Sequence, residues 1–174
     1  MKIDRVESLV VHAESRNWIF VKVASDAGLV GWGEATLEWK TRAVAGAIAD
    51  LAPLVVGRSP DSASAIESLH DEIVLRGYYP LDVVTASALS GIETALWDLL
   101  GQAEGVPIHA LLGGAKRESV VAYSNLGNGE SAANGFTPDA AVVEFEADAA
   151  LRAGYASVKV KPIAPGWSGE PSSA

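Results

Sequence analysis

The spacing of apolar residues changes period along the chain. From Ile3 to Val11 they alternate loosely, Trp18 to Val23 is aromatic and β-branched, and Leu29 to Glu34 follows the turn Asp26-Ala27-Gly28. A period near two, interrupted by a short Gly-containing turn, predicts three strands, with the second and third antiparallel neighbours. The period then becomes helical. Val44, Ile48, Leu51 and Val55 share one helix face that ends near Gly57. Ile66, Leu69 and Ile73 share the face of a second helix, ending near Gly77. Ser59-Pro60-Asp61 reads as the start of that second helix: a capping hydroxyl, a proline in the first turn and an early carboxylate. A third helix is expected from Val83 to Ala103, with Leu89, Ile92, Leu96, Leu99 and Ala103 as its main stripe. Its Ala86, Ala88, Ser90, Gly91 and Ala95 are small enough for a neighbouring backbone to come close. A helix this apolar is buried on more than one side. Pro107 opens a short final turn and Gly113-Gly114 closes it.

After Gly114 the order becomes strand, helix, strand. Ser119 to Tyr123 is a short β-type run, Thr137-Pro138-Asp139 caps a helix reaching Arg152, Gly154 ends it, and Tyr155 to Lys161 is the next strand. A helix of this length between two strands makes them parallel. The pattern therefore predicts an α+β domain with an antiparallel sheet over 1–115. The start of an α/β domain follows over 116–162, then a Pro-, Gly- and Ser-rich loop or disordered tail over 163–174.

Composition narrows the function. The 174 residues suffice for one full core, or one domain and part of another. Apolar residues at 49% and charged residues at 20% fit a globular chain, not a disordered one. A net charge of −9 without a basic patch argues against nucleic acid and against an anionic membrane surface. The absence of cysteine excludes disulfides and thiolate chemistry. The first residues lack a leader pattern, and the apolar run from Ala43 to Val56 is broken by Asp50 and Pro53, so a cytoplasmic location is expected. His12, His70 and His109 are scattered without a metal-binding spacing and read as structural or exposed.

The candidate chemistry lies on the last strand. Residues two apart on a strand point to one side, so Lys159 and Lys161 share a face and Val158 and Val160 share the other. Two ammonium groups a few ångströms apart disfavour each other's charge, which lowers at least one pKa and suits it to act as a base. Taken alone, the pair is more often a solvated strand face with two ordinary lysines.

The segment ALSGIETALWDLLGQAEGVPIHALLGG, Ala88 to Gly114, changes that balance. Its Ala88, Gly91, Glu93, Ala95, Asp98, Gly101, Gln102, Pro107 and Leu111-Leu112-Gly113, followed by Lys159-Val160-Lys161, resemble the mandelate racemase/muconate lactonizing branch of the enolase superfamily. The opening WIFVKVASDAGLVGWGEA resembles the acid-sugar dehydratases within it. The resemblance implies an enolase-like N-terminal capping domain followed by the first strands of an incomplete (β/α)8 TIM barrel. It implies an aldonate dehydratase that removes the proton α to a carboxylate and stabilises an enediolate with Mg²⁺. Lys161 would be the base, and Lys159 would position or neutralise the carboxylate. A racemase or cycloisomerase of the same superfamily, or a non-catalytic capping-domain remnant, is the alternative.

The capping domain in this family closes over the barrel mouth. The loop Glu14 to Asn17 and the segment Leu37 to Trp39 are the matching positions, so Arg16, Asn17, Trp18, Trp39 and Tyr78 are candidate substrate contacts, with Tyr79 beside them. Each aromatic is more often a core or surface residue than a ligand contact. Ser124 and Asn125 could reach the site or form a polar turn, and Glu93 and Asp98 more often hold a buried helix in place. The family's Mg²⁺ ligands come from later barrel strands, so no metal ligand is expected in this chain. A complete barrel needs ~250 residues, whereas fewer than sixty follow Lys116. The chain is therefore expected to be an N-terminal fragment, inactive alone. The parent is expected to act on a small carboxylate and to assemble as a homo-oligomer.

Overall fold

In a computed structural model the described residues are 1–13, 16–78, 80–126 and 140–160, with the side chains of residues 77, 78 and 140 excluded. The chain divides into two compact units, Met1–Ala115 and Lys116–Ala174.

The first unit opens with β1 (Ile3–Ala13), β2 (Arg16–Ser25) and β3 (Val30–Glu34), an antiparallel sheet in the order β1-β2-β3. The expected tight turn joins β2 to β3. Gly28 takes a left-handed φ of +78°, the Ser25 N–H donates to the Leu29 carbonyl at 3.0 Å, and the Leu29 N–H donates to Ser25 Oγ at 3.2 Å. Strand alternation then sets the faces. Ile19, Val21 and Val23 point inward and are buried, while Trp18, Phe20 and Lys22 lie on the outer face.

The helices cover the inner face. Helix α1 (Thr41–Val55) buries the expected Val44, Ile48, Leu51 and Val55, and Gly57 turns the chain away with φ +83°. Helix α2 (Ala63–Ile73) buries Ile66, Leu69 and Ile73. Its start differs from the sequence reading. Ser62, not Ser59, is the cap: it is extended and accepts from the Ala65 N–H at 3.2 Å. Beyond Ile73, a π-helical turn (Val74–Tyr78) continues the chain where a Gly77 stop was expected. Arg58 reaches Glu72 at 2.7 Å and Arg76 joins the same carboxylate, so Glu72 sits below the usual carboxylate range, chiefly through its hydrogen bond from Arg58.

Helix α3 (Val83–Glu104) is the core helix. By length and apolarity it could cross a bilayer, yet Leu89, Ile92, Leu96 and Leu99 are buried in the core cluster with the strands and α1. Ala103, expected on that stripe, is exposed. Asp82 caps the helix, accepting from the Val84 N–H at 2.7 Å and the Thr85 N–H at 3.1 Å. Those bonds, from Thr85 foremost, hold its carboxyl below the usual range. Gly105 ends the helix at φ +69°, and the short α4 (Ile108–Leu111) follows Pro107.

The small residues of α3 have a specific use. A Cβ on Gly33 would run into the Gly91 carbonyl, one on Gly31 into the Ala95 carbonyl, and one on Gly91 would meet the Ala35 Cβ at 2.7 Å and the Val21 Cγ2 at 2.8 Å. Strand β3 therefore lies directly on the helix backbone, a contact that any side chain at these positions would block.

In the second unit the strand pair is β4 (Ser124–Asn125) and β5 (Val158–Lys159), parallel as expected, with α5 (Ala140–Arg152) between them in sequence. The first strand is not at Ser119 to Tyr123. Val120 and Val121 are 77% and 78% exposed, whereas the Ser124 and Leu126 N–H groups donate to Ser157 and Lys159 carbonyls at 3.1 and 2.9 Å. β-branched residues favour a strand only where a neighbour pairs with them. Ser124 and Asn125 are thus strand residues, not a turn after one. Gly154 closes α5 at φ +89°. The proposed cap Thr137-Pro138-Asp139 and the tail 163–174 lie outside the described residues.

Two predictions follow from this packing. Gly33→Ala should cost about 1–3 kcal/mol through forced backbone displacement. Gly46→Ala, in open space within α1, should instead stabilise by roughly 0.5–1 kcal/mol; denaturant melts of both variants check the sign of each. Asp82 and Glu72 have folded pKa values below their unfolded ones, so their stabilisation is present above the unfolded carboxylate pKa and is lost as pH falls through the folded values. Asp82→Asn keeps a capping oxygen without a titration, so its melting temperature should vary less with pH over that acidic window than the parent's.

Candidate functional site

The candidate residues of the first unit gather where β2 begins and β3 ends. The β2–β3 ladder stops at the Phe20–Glu34 pair, and beyond it the chain after β3 diverges toward α1. Side-chain and loop bonds then replace the ladder. The Ala35 N–H donates to the Ile19 carbonyl at 2.8 Å, and the Ile19 N–H donates to Thr36 Oγ1 at 3.0 Å. Asn17 Nδ2 donates to Thr41 Oγ1 at 3.3 Å, and Arg16 pairs with Glu38 at 3.1 Å.

Each contact has a local cause. Asn17 lies directly opposite His12 in the β1–β2 register, and His12 Nδ1 meets Asn17 Oδ1 at 2.9 Å. That contact takes the amide oxygen and leaves the NH₂ to reach Thr41. The Arg16 guanidinium also lies 5.9 Å from the centroid of the Trp18 ring, a cation–π distance. Both ions of the Arg16–Glu38 pair are about half exposed. Such a pair contributes little stability but leaves a charged group available to a ligand.

Trp39 sits between these contacts. It is the non-glycine residue with positive φ among those described, at +66°, and its surface is 91% exposed. Both features are costly: a left-handed L-residue by roughly 1–2 kcal/mol, an exposed indole through lost burial. Strain of this kind collects at functional loops. Arg16, Asn17, Trp18 and Trp39 are thus held on two adjoining segments of one unit. Tyr78 ends the π-helical turn, and its side chain, like Tyr79, lies outside the described residues.

Lys159 lies in the second unit on β5, with its Nζ 5.8 Å from the Tyr123 ring centroid. Lys161 lies outside the described residues. Among the described residues, no group of three or more His, Asp or Glu side chains converges as a metal site, so these residues alone do not fit a Mg²⁺ ion.

The residues of the Ala88–Gly114 segment act structurally. Asp98 Oδ2 accepts from the Trp32 N–H at 2.9 Å and from Gln102 Nε2 at 3.1 Å, while Gln102 Nε2 donates to the Val30 carbonyl at 2.8 Å. Together they pair the Trp32 N–H and the Val30 carbonyl on the outer edge of β3. Glu93 Oε2 meets His70 Nδ1 at 2.8 Å and Glu93 Oε1 accepts from Trp97 Nε1 at 3.4 Å, tying α2 to α3.

Sequence reasoning did not single out Thr36 or Thr41, reached Glu38 only within the segment Leu37 to Trp39, and placed His12 among the structural or exposed residues. The β1–β2 register carried the signal for His12, because antiparallel pairing places it opposite Asn17. The threonines carried none, because their role depends on where the chain goes after β3.

Residues 7–113 match the sequence profile described as the mandelate racemase/muconate lactonizing enzyme N-terminal domain. The chain belongs to this family of the enolase superfamily. D-galactonate dehydratase of Xanthomonas axonopodis pv. citri is 40% identical over 127 residues, which are 73% of this chain and 32% of that protein. The chain thus spans about a third of the length of the curated relatives it matches. An enolase from Agrobacterium radiobacter, solved with Na and L-malate, superposes with a TM-score of 0.78 at 30% identity over 93% of this chain and 38% of its own. An enolase from Pantoea ananatis, solved with D-gluconate and Mg, gives 0.77 at 30% identity over 92% and 36%. The fold is accordingly the α+β N-terminal domain of the enolase superfamily.

The cost of the Trp39 backbone is measurable. Trp39→Ala and Trp39→Gly both remove the indole, but only glycine relieves the left-handed φ, so the glycine variant should be more stable by about 1 kcal/mol in denaturant melts.

Proposed function

We propose that this chain is the capping-domain part of an acid-sugar dehydratase, with the start of its barrel. The observation that carries the reading is the bonded pair of segments, the start of β2 at Arg16 and the loop at Trp39, in a family member whose curated relatives include D-galactonate dehydratase. Acid sugars carry one anionic group and a row of hydroxyls. A half-exposed guanidinium, an amide and indole faces suit such a ligand: the charge recognises an acid group, the amide bonds hydroxyls, and the rings cover the C–H faces of the chain. Arg16, Asn17, Trp18, Trp39 and Tyr78 are assigned this role.

In this reading Lys161, as the neutral amine, takes the proton α to the substrate carboxylate. The electron pair left behind moves into the carboxylate as an enediolate; its return forms the Cα–Cβ double bond and breaks the β C–O bond, and the hydroxyl takes a proton from a general acid as it leaves as water. Lys159 positions or neutralises the carboxylate, where negative charge grows. Mg²⁺ would be held by residues outside this chain. The chain by itself would therefore bind weakly and not turn over.

A chimera tests the proposal. Residues 1–162 replace the matching part of the Xanthomonas D-galactonate dehydratase, and the product is assayed for dehydration of a panel of aldonates and aldarates. Activity on at least one acid sugar is expected, falling by about 10²–10⁴-fold in Lys161→Ala, the usual worth of a general base. A folded chimera inactive on every acid sugar would refute the assignment.

A further inference from the structure

The bonds between the β2 start and the β3–α1 loop point to one body. Four contacts join residues 16, 17 and 19 to residues 35, 36, 38 and 41. Two of them, the Ala35 N–H to the Ile19 carbonyl and the Ile19 N–H to Thr36 Oγ1, follow the last ladder pair. The other two, from Glu38 and Thr41, lie on either side of Trp39. Thr41 is the first residue of α1, and the residue before it, Lys40, makes no side-chain cap. The Thr41 hydroxyl is thus engaged with the other segment and not with its own helix.

We propose that Thr41 and His12 are positioning residues that act through Asn17. The hydrogen bond between Thr41 and Asn17, backed by His12 on Asn17 and joined by the Arg16–Glu38 pair, makes the two segments one rigid jaw that fixes where Trp39 and Arg16 point. Neither Thr41 nor His12 needs to touch a ligand. The orientation is set by the amide: His12 takes Asn17 Oδ1, so Nδ2 faces Thr41 and the pin is one-way. Holding Trp39 at φ +66° requires constraint on both sides, which Glu38 and Thr41 supply. The functional consequence rests on the ligand role proposed above; the mechanical coupling does not.

The test needs no ligand, so it fails separately from the dehydratase reading. Amide hydrogen exchange is followed in the 174-residue chain and in Thr41→Val, Thr41→Ser and Asn17→Ala. Loss of the pin should speed exchange by about fivefold at residues 16–18 and at residues 36–39 together, the population change expected for one lost hydrogen bond. Thr41→Ser keeps the hydroxyl and should restore parent rates in both segments, which a loss of general stability would not do. Amides of β2 from Val21 to Val23 serve as the internal control and should be unchanged. Acceleration in one segment only, or failure of serine to rescue, would overturn the proposal.

Discussion

The contact of strand β3 on helix α3 is the constraint on which the rest of the first unit depends. Three glycines, Gly31, Gly33 and Gly91, let two backbones approach where any Cβ would collide. Asp98 and Gln102 then bind the outer edge of the strand. The strand is thereby held on one side by β2 and on the other by helix side chains, so its last residue, Glu34, has a fixed position. The loop that carries Trp39 starts one residue later. Gly91, Asp98 and Gln102 thus fix where the loop that carries Trp39 begins.

Much of this was legible in the sequence. The apolar faces of α1 and α2 are those that the spacing of Val44, Ile48, Leu51 and Val55, and of Ile66, Leu69 and Ile73, implied. Burial of a periodic stripe is a strong and local signal. The small residues of α3 also foretold a close neighbour, although not which strand it would be. The errors came where local preference competes with pairing. Val120 and Val121 look like strand residues but lack a ladder, and the strand forms at Ser124–Asn125 because its N–H groups find carbonyls on β5. Likewise Ser59-Pro60-Asp61 has the composition of a helix start, yet the Ser62 hydroxyl has the geometry.

The candidate site was legible in part. Arg16, Asn17, Trp18 and Trp39 came from a resemblance, and the bonds that hold them came from the fold. Thr36 and Thr41 had no sequence signal because a hydroxyl is informative only once its neighbour is known. The same fold explains why an exposed tryptophan can be kept in a left-handed conformation: bonds to β2 on both sides of it oppose relaxation.

The most direct measurement is amide hydrogen exchange at residues 16–18 and 36–39 in Asp98→Ala. This substitution removes the acceptor for the Trp32 N–H and is remote in sequence from both segments. If the edge of β3 sets the position of the jaw, exchange should quicken there as well as at Trp32 and Gly33. Acceleration confined to Trp32 and Gly33, with both segments at parent rates, would contradict the account.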